Sequence, residues 1–211
     1  RGRAEVSALI SRGNDFPGNF SHVALVYIDE KTKSPYIIES HIEKGVAISG
    51  VAEYEKDKKL RMMILRPRKE LPQLLLNPTL GHNAAKNIYE HAQKLHIPYD
   101  FKMDFKDSSA MFCSEVVSYA YKKEGLHLWH HLSTISDKGV VNWLQAFGVT
   151  NFITQMPSDL EYDPALMVVA EYKDSETLFK DHMDNAVMDA LITEANKGAT
   201  LDYNIWMLPV A

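Results

Sequence analysis

The spacing of apolar residues changes along this chain near residue 77, and that change constrains the fold more than any other feature. Upstream, Ser21-His22-Val23-Ala24-Leu25-Val26-Tyr27-Ile28 is rich in β-branched and aromatic residues and runs into the polar turn 29–35. Tyr36–His41 reads as the next strand, so the two form a hairpin or an adjacent pair. Gly45–Val51 and Leu60–Arg66, the latter stopped by Pro67, complete a small sheet in the first third. Downstream, Leu80, Ala84, Ile88, Ala92 and Leu95 recur at helical spacing, with Asn77 able to cap, Pro78 in the first position and Pro98 as the stop. Ser108 or Ser109 opens a second helix in which Cys113, Val116, Val117, Ala120 and Tyr121 share a face, ended by Lys122, Lys123 and Gly125. After one more strand, Leu166–Tyr172, a third helix starts at Asp174 or Ser175. It carries apolar residues in pairs from Leu178/Phe179 to Ala190/Leu191 and closes at Gly198; it is expected to pack somewhere on the body, where it closes the active site or mediates self-association. Neither a repeat nor a linker composition interrupts the sequence. The expectation is one α+β domain over residues 1–211, with a helical extension at about 174–198.

Composition narrows the function classes. The 211 residues suffice for a sizeable core, and 45% apolar with 24% charged residues excludes a disordered or fibrous chain. Acidic residues outnumber basic ones, 28 to 23, and the basic residues cluster no further than Lys56, Lys58, Lys59 and Arg61, which argues against nucleic acid as a partner. The apolar run Val23–Ile28 is far short of the roughly 18 residues a bilayer span needs, so no transmembrane segment is expected. No glycine-rich phosphate loop occurs, and no cofactor is expected. The sequence starts at Arg1 without a leader, as a processed or truncated product would.

Cys113 is the single cysteine, which excludes an internal disulfide and a multi-cysteine metal site. A core thiol and a reactive thiol remain. Cys113 lies near a helix start, where the dipole favours a thiolate, while His22 and Glu39 fall on neighbouring strands. A histidine can take the thiol proton at neutral pH, and a carboxylate can fix its tautomer. The same residues also fit a strand histidine satisfied by backbone, a solvent-facing glutamate and a buried thiol beside Phe112. His127, His130 and His131 have helical spacing but no carboxylate at metalloprotease spacing, so no metal site is expected. His41, His82, His91, His96 and His182 read as surface or half-buried residues.

Three stretches decide between these readings. Asn19-Phe20-Ser21-His22-Val23-Ala24-Leu25-Val26, Pro98-Tyr99-Asp100-Phe101 and Phe112-Cys113-Ser114-Glu115-Val116-Val117 resemble, in order and spacing, the circularly permuted NlpC/P60 cysteine hydrolases of the YiiX/YaeF-like type. The resemblance spans residues 19–121 and implies a papain-like fold in permuted order, a small antiparallel sheet packed on helices with the nucleophile at a helix N-terminus. It assigns Cys113 as nucleophile, His22 as general base, Glu39 as the group orienting the histidine, and Tyr99 as a hydroxyl at the edge of the site. Asp100 becomes loop support and Glu115 a first-turn carboxylate. The family usually has a Gly-Asp-containing strand ahead of the histidine, and no such dipeptide occurs in residues 1–19; the expectation is that either Ala4–Ile10 stands in for that strand or it is lost with the start of the chain. The implied activity is cleavage of an amide, in a cell-wall peptide or related small amide, through a thioester, in an extracytoplasmic setting. Rival readings are a lipid acyltransferase or thioesterase resembling the lecithin-retinol acyltransferases, and an inactive binding module on the same scaffold. Residues from 126 onward align with no motif.

Overall fold

A computed structural model describes residues 2–56 and 59–201, with side chains from residue 6 onward. Lys58 of the basic cluster lies outside the described residues. Helix α1 (Gly2–Arg12) opens the chain, followed by strands β1 (Leu25–Ile28), β2 (Pro35–His41) and β3 (Gly45–Gly50), the short α2 (Val51–Tyr54) and β4 (Met62–Pro67). Three helices come next, α3 (Pro72–Leu76), α4 (Leu80–Lys94) and α5 (Cys113–Lys123). The two-residue strands β5 (Ser133–Thr134) and β6 (Ile153–Thr154) flank α6 (Lys138–Ala146), and a 3-10 turn, Pro157–Glu161, leads to β7 (Leu166–Tyr172) and α7 (Ser175–Asn196).

Strands β1, β2 and β3 form one antiparallel sheet with β2 in the middle, in the register Leu25 to Ile38 and Glu39 to Ala47. The side chains on its inner face meet α4 and α5: Ile38, Leu80, Ala84, Ile88 and Val116 are essentially inaccessible to water. Burying each of the larger aliphatics is worth roughly 1.5–3 kcal/mol, so this contact fixes where the start of α5 meets the sheet. Two polar ties set the same placement. Ser40 Oγ donates to Met111 O at 2.6 Å, and Val46 N donates to Ile97 O at 2.9 Å. The second needs glycine at 45: its φ is +65°, and a Cβ there would lie 2.0 Å from Ile97 O.

Several expectations are corrected. Residues 4–10 are helix rather than strand, because Leu9 turns into a second apolar cluster with Ile135, Val140, Leu144, Val149, Met156 and Ile192. Strand β4 does not join the first sheet; α2 turns the chain away, and β4 pairs with β7 instead, with Arg61 Nε 2.6 Å from Glu171 Oε1. Asn77 ends α3, and its side chain accepts from Thr79 at the start of α4. Helix α7 packs on the body beside α1 and α6, with Ile192 and Ala195 buried, while Phe179, Met183, Val187 and Leu191 of its apolar pairs are exposed. That placement is set by the bidentate Arg12–Asp189 pair and by the close approach of Gly139 to Ala195.

Candidate active site

Helix α5 starts at Cys113, four to five residues later than the serines suggest, because residues 100–109 are held in turns. Asp100 accepts from the N–H groups of Lys102 and Asp104 at 2.7 and 2.6 Å, and Asp107 accepts from Ser109 N at 2.9 Å. The extended Phe112 then precedes the first turn, and Glu115 Oε2 accepts its N–H at 2.7 Å. Cys113 therefore sits at the positive end of the helix.

The segment carrying His22 has no regular secondary structure and lies ahead of β1, not within it. Ser11 Oγ donates to Phe20 O at 2.9 Å, and Ser158 Oγ accepts from Phe20 N at 2.8 Å, so α1 and the 3-10 turn pin it. The ladder with β2 stops at Leu25, and the N–H of Val23 is directed at the Cys113 sulfur.

These placements bring Cys113, His22 and Glu39 together. His22 Nε2 donates to Glu39 Oε2 at 2.6 Å, and the His22 side chain hydrogen-bonds the Cys113 thiol. With Nε2 engaged by the carboxylate, Nδ1 is the nitrogen left for sulfur. Glu39 is buried in the middle strand, and its other oxygen lies 3.0 Å from His41 Nε2. His41 is half-buried, as the sequence predicts, and it also contacts Glu39; the sequence signal for that contact is spacing, since positions 39 and 41 of a strand share one face.

The electrostatics follow from this geometry. Burial lowers the pKa of His22, but the hydrogen bonds and charges of Cys113 and Glu39 outweigh it and raise the value to about 10. The side chain is 38% exposed. For Cys113, burial pushes the pKa up, while the His22 hydrogen bond and charge and the Val23 N–H pull it down further, for a net lowering. Burial raises Glu39 too, yet its two histidine partners hold it at about 2. Tyr54, on α2, faces the same carboxylate; burial and the Glu39 charge lift it to about 12.

Tyr99 is brought near the thiol. Its ring meets Phe101 edge-on at 5.0 Å, and burial together with the charges of Cys113, Asp100 and Glu115 raises its pKa, keeping the hydroxyl protonated as a donor. Glu115 corrects the reading of a dipole-favoured carboxylate: burial lifts its pKa to about 9, so it is neutral at pH 7 and caps the helix as an acid. The segment with His127, His130 and His131 is not helical, and His130 Nδ1 lies 3.1 Å from Asp163. Among the described residues, no three His, Cys, Asp or Glu side chains converge as metal ligands.

Comparison with known proteins places this geometry in context. A solved structure described as the metalloprotein yiiX from Escherichia coli O157:H7 superposes with a TM-score of 0.58 at 18% identity, over 79% of this chain and 89% of that one. That likeness shows a shared fold. No curated protein matches the sequence. Residues 3–170, which include Cys113, His22, Glu39 and Tyr99, match the family model described as permuted papain-like amidase enzyme, YaeF/YiiX, C92 family. The chain therefore belongs to the permuted papain-like amidases, and its mixed sheet-and-helix architecture is theirs.

Proposed function

We propose that the protein hydrolyses an amide bond through a thioester on Cys113, with His22 as general base and acid and Glu39 as the group that holds the imidazole. The observation that carries this reading is His22 itself, hydrogen-bonded on one side to the only thiol in the sequence and on the other, at 2.6 Å, to a buried carboxylate. A lowered thiol pKa beside a raised imidazole pKa favours the thiolate–imidazolium pair over the neutral one.

The thiolate attacks the amide carbonyl carbon, and the electron pair moves to oxygen. The first-turn N–H groups of α5 support that oxyanion, each well-placed donor being worth about 3–4 kcal/mol. The protonated Tyr99 hydroxyl supplies a further donor. As the C–N bond breaks, His22 gives its proton to the leaving amine, and a thioester remains. Water then attacks the thioester carbonyl as His22 takes one of its protons; the C–S bond breaks, the acid leaves, and the Cys113 thiolate stands again beside the His22 imidazolium. The substrate class is a peptide or small amide; a cell-wall peptide and an extracytoplasmic setting belong to this proposal and rest on the resemblance.

The test offers peptide amides, cell-wall fragments and lipid esters to the protein, quenches in acid and weighs the protein. An acyl adduct on Cys113 from amides, with matching amine release, is expected in the wild type and not in Cys113→Ser. Adducts from lipid esters alone would make it an acyltransferase or thioesterase, and an inert thiol with no adduct would make it a binding module.

A further inference from the structure

Glu39 offers two oxygens, and only one is used by His22. The other is 3.0 Å from Nε2 of His41, two residues along the same strand and on the same face. The two imidazole centroids stand 6.2 Å apart at a 32° tilt, so the carboxylate between them is what links them. We infer that His41 is a positioning residue for this site: it holds Oε1 of Glu39 so that Oε2 stays on His22. The inference rests on the function proposed above.

The physical need is clear. The terminal torsion of a glutamate is broad and roughly twofold, so a carboxylate held by one contact swings about its bond. A second donor from the same strand, fixed by the β2 backbone, locks the carboxylate plane. Burial makes both contacts matter, because an unmatched oxygen on an ionised carboxylate costs more away from water. The groups facing this carboxylate are His22 from the segment before β1, His41 from β2 itself and Tyr54 from α2, with Cys113 of α5 beyond His22. Tyr54 acts on Glu39 only through charge, whereas His41 Nε2 lies 3.0 Å from the second oxygen, so among the described residues His41 is the side chain in contact with that oxygen as His22 is with the first.

The experiment compares His41→Ala and His41→Gln, each alone and in a Glu39→Gln background. Glutamine places an amide N–H close to where Nε2 stands, so it serves as the conservative rescue. The readouts are the pH dependence of Cys113 alkylation by iodoacetamide, which needs no substrate, and kcat and KM on an amide. With His41→Ala the alkylation step of His22 falls by about half to one pH unit, and kcat falls about three- to tenfold with KM nearly unchanged. His41→Gln restores most of both, and in the Glu39→Gln background His41→Ala has no further effect on the step. An unmoved step and kcat in His41→Ala would overturn the inference. So would a loss that glutamine fails to rescue, or one of equal size without the Glu39 charge. If the wild-type thiol shows no low-pH alkylation step at all, the hydrolase reading fails first and the inference falls with it.

Discussion

Replacing Glu39 with Gln keeps the shape of the side chain and removes its charge, which isolates what the carboxylate does to His22. In the wild type the imidazole pKa stands at about 10 against an ordinary 6.5, although burial works against it. A hydrogen bond to a charged partner is worth about 1.5–3 kcal/mol, and because the imidazole is 38% exposed, solvent screening argues for the lower end. At about 1.4 kcal/mol per pKa unit, the loss amounts to about one unit, bringing the His22 step from about 10 to about 9. The sign is that of an anion favouring a cation: without it the imidazolium gives up its proton more readily. The assay is the second-order rate of alkylation by iodoacetamide across pH, with Cys113→Ala as the blank. It shows two steps, a lower one where the thiolate forms and an upper one where the imidazolium loses its proton and frees the thiolate. The lower step, governed by His22 and the Val23 N–H, moves little. An upper step that stays at the wild-type position in Glu39→Gln would refute the argument that the 2.6 Å contact sets the state of His22.

Other outcomes follow from the same structure. Amide hydrolysis is expected to have a bell-shaped pH dependence of kcat/KM, rising below the ordinary thiol pKa as Cys113 ionises and falling as His22 deprotonates near about 10. A profile that rises only above pH 8.5 would contradict the paired state. Tyr99→Phe removes one oxyanion donor and should lower kcat about tenfold to a hundredfold with little change in KM; equal kcat in the variant would remove Tyr99 from the mechanism. Glu115 keeps its proton to about pH 9 in the fold, whereas in the unfolded chain it ionises near 4.5, so wild-type stability falls as pH rises across that window. Glu115→Gln, which keeps the acceptor for Phe112 N–H, should show a flatter Tm between pH 5 and 9, as checked by thermal unfolding. Gly45→Ala should cost at least about 2 kcal/mol in denaturant unfolding, while Gly50→Ala, whose Cβ would meet open space, serves as the control.

Local physics made much of this protein legible from the sequence. The β-branched and aromatic content of Leu25–Ile28 and Tyr36–His41, split by a polar turn, predicts a paired sheet, and the spacing of Leu80, Ala84 and Ile88 predicts the helix that covers it, because strand propensity and helical period are local. The motif around Cys113 and His22 pointed to the residues the fold brings together, and the family match bears out the permuted papain-like architecture. Other features depended on partners distant in the chain. The start of α5 depends on turns held by Asp100, and β4 finds its partner in β7 about a hundred residues later, which no local propensity encodes. Helix α7 carries two stripes that could be buried, and only the Arg12–Asp189 pair and the close fit at Gly139 decide between them. In the site, residue types alone could name a thiol, a base and a carboxylate. That Glu39 bridges two imidazoles, and that burial keeps Glu115 neutral, came from tertiary structure, since burial and charge pairing depend on which elements pack together.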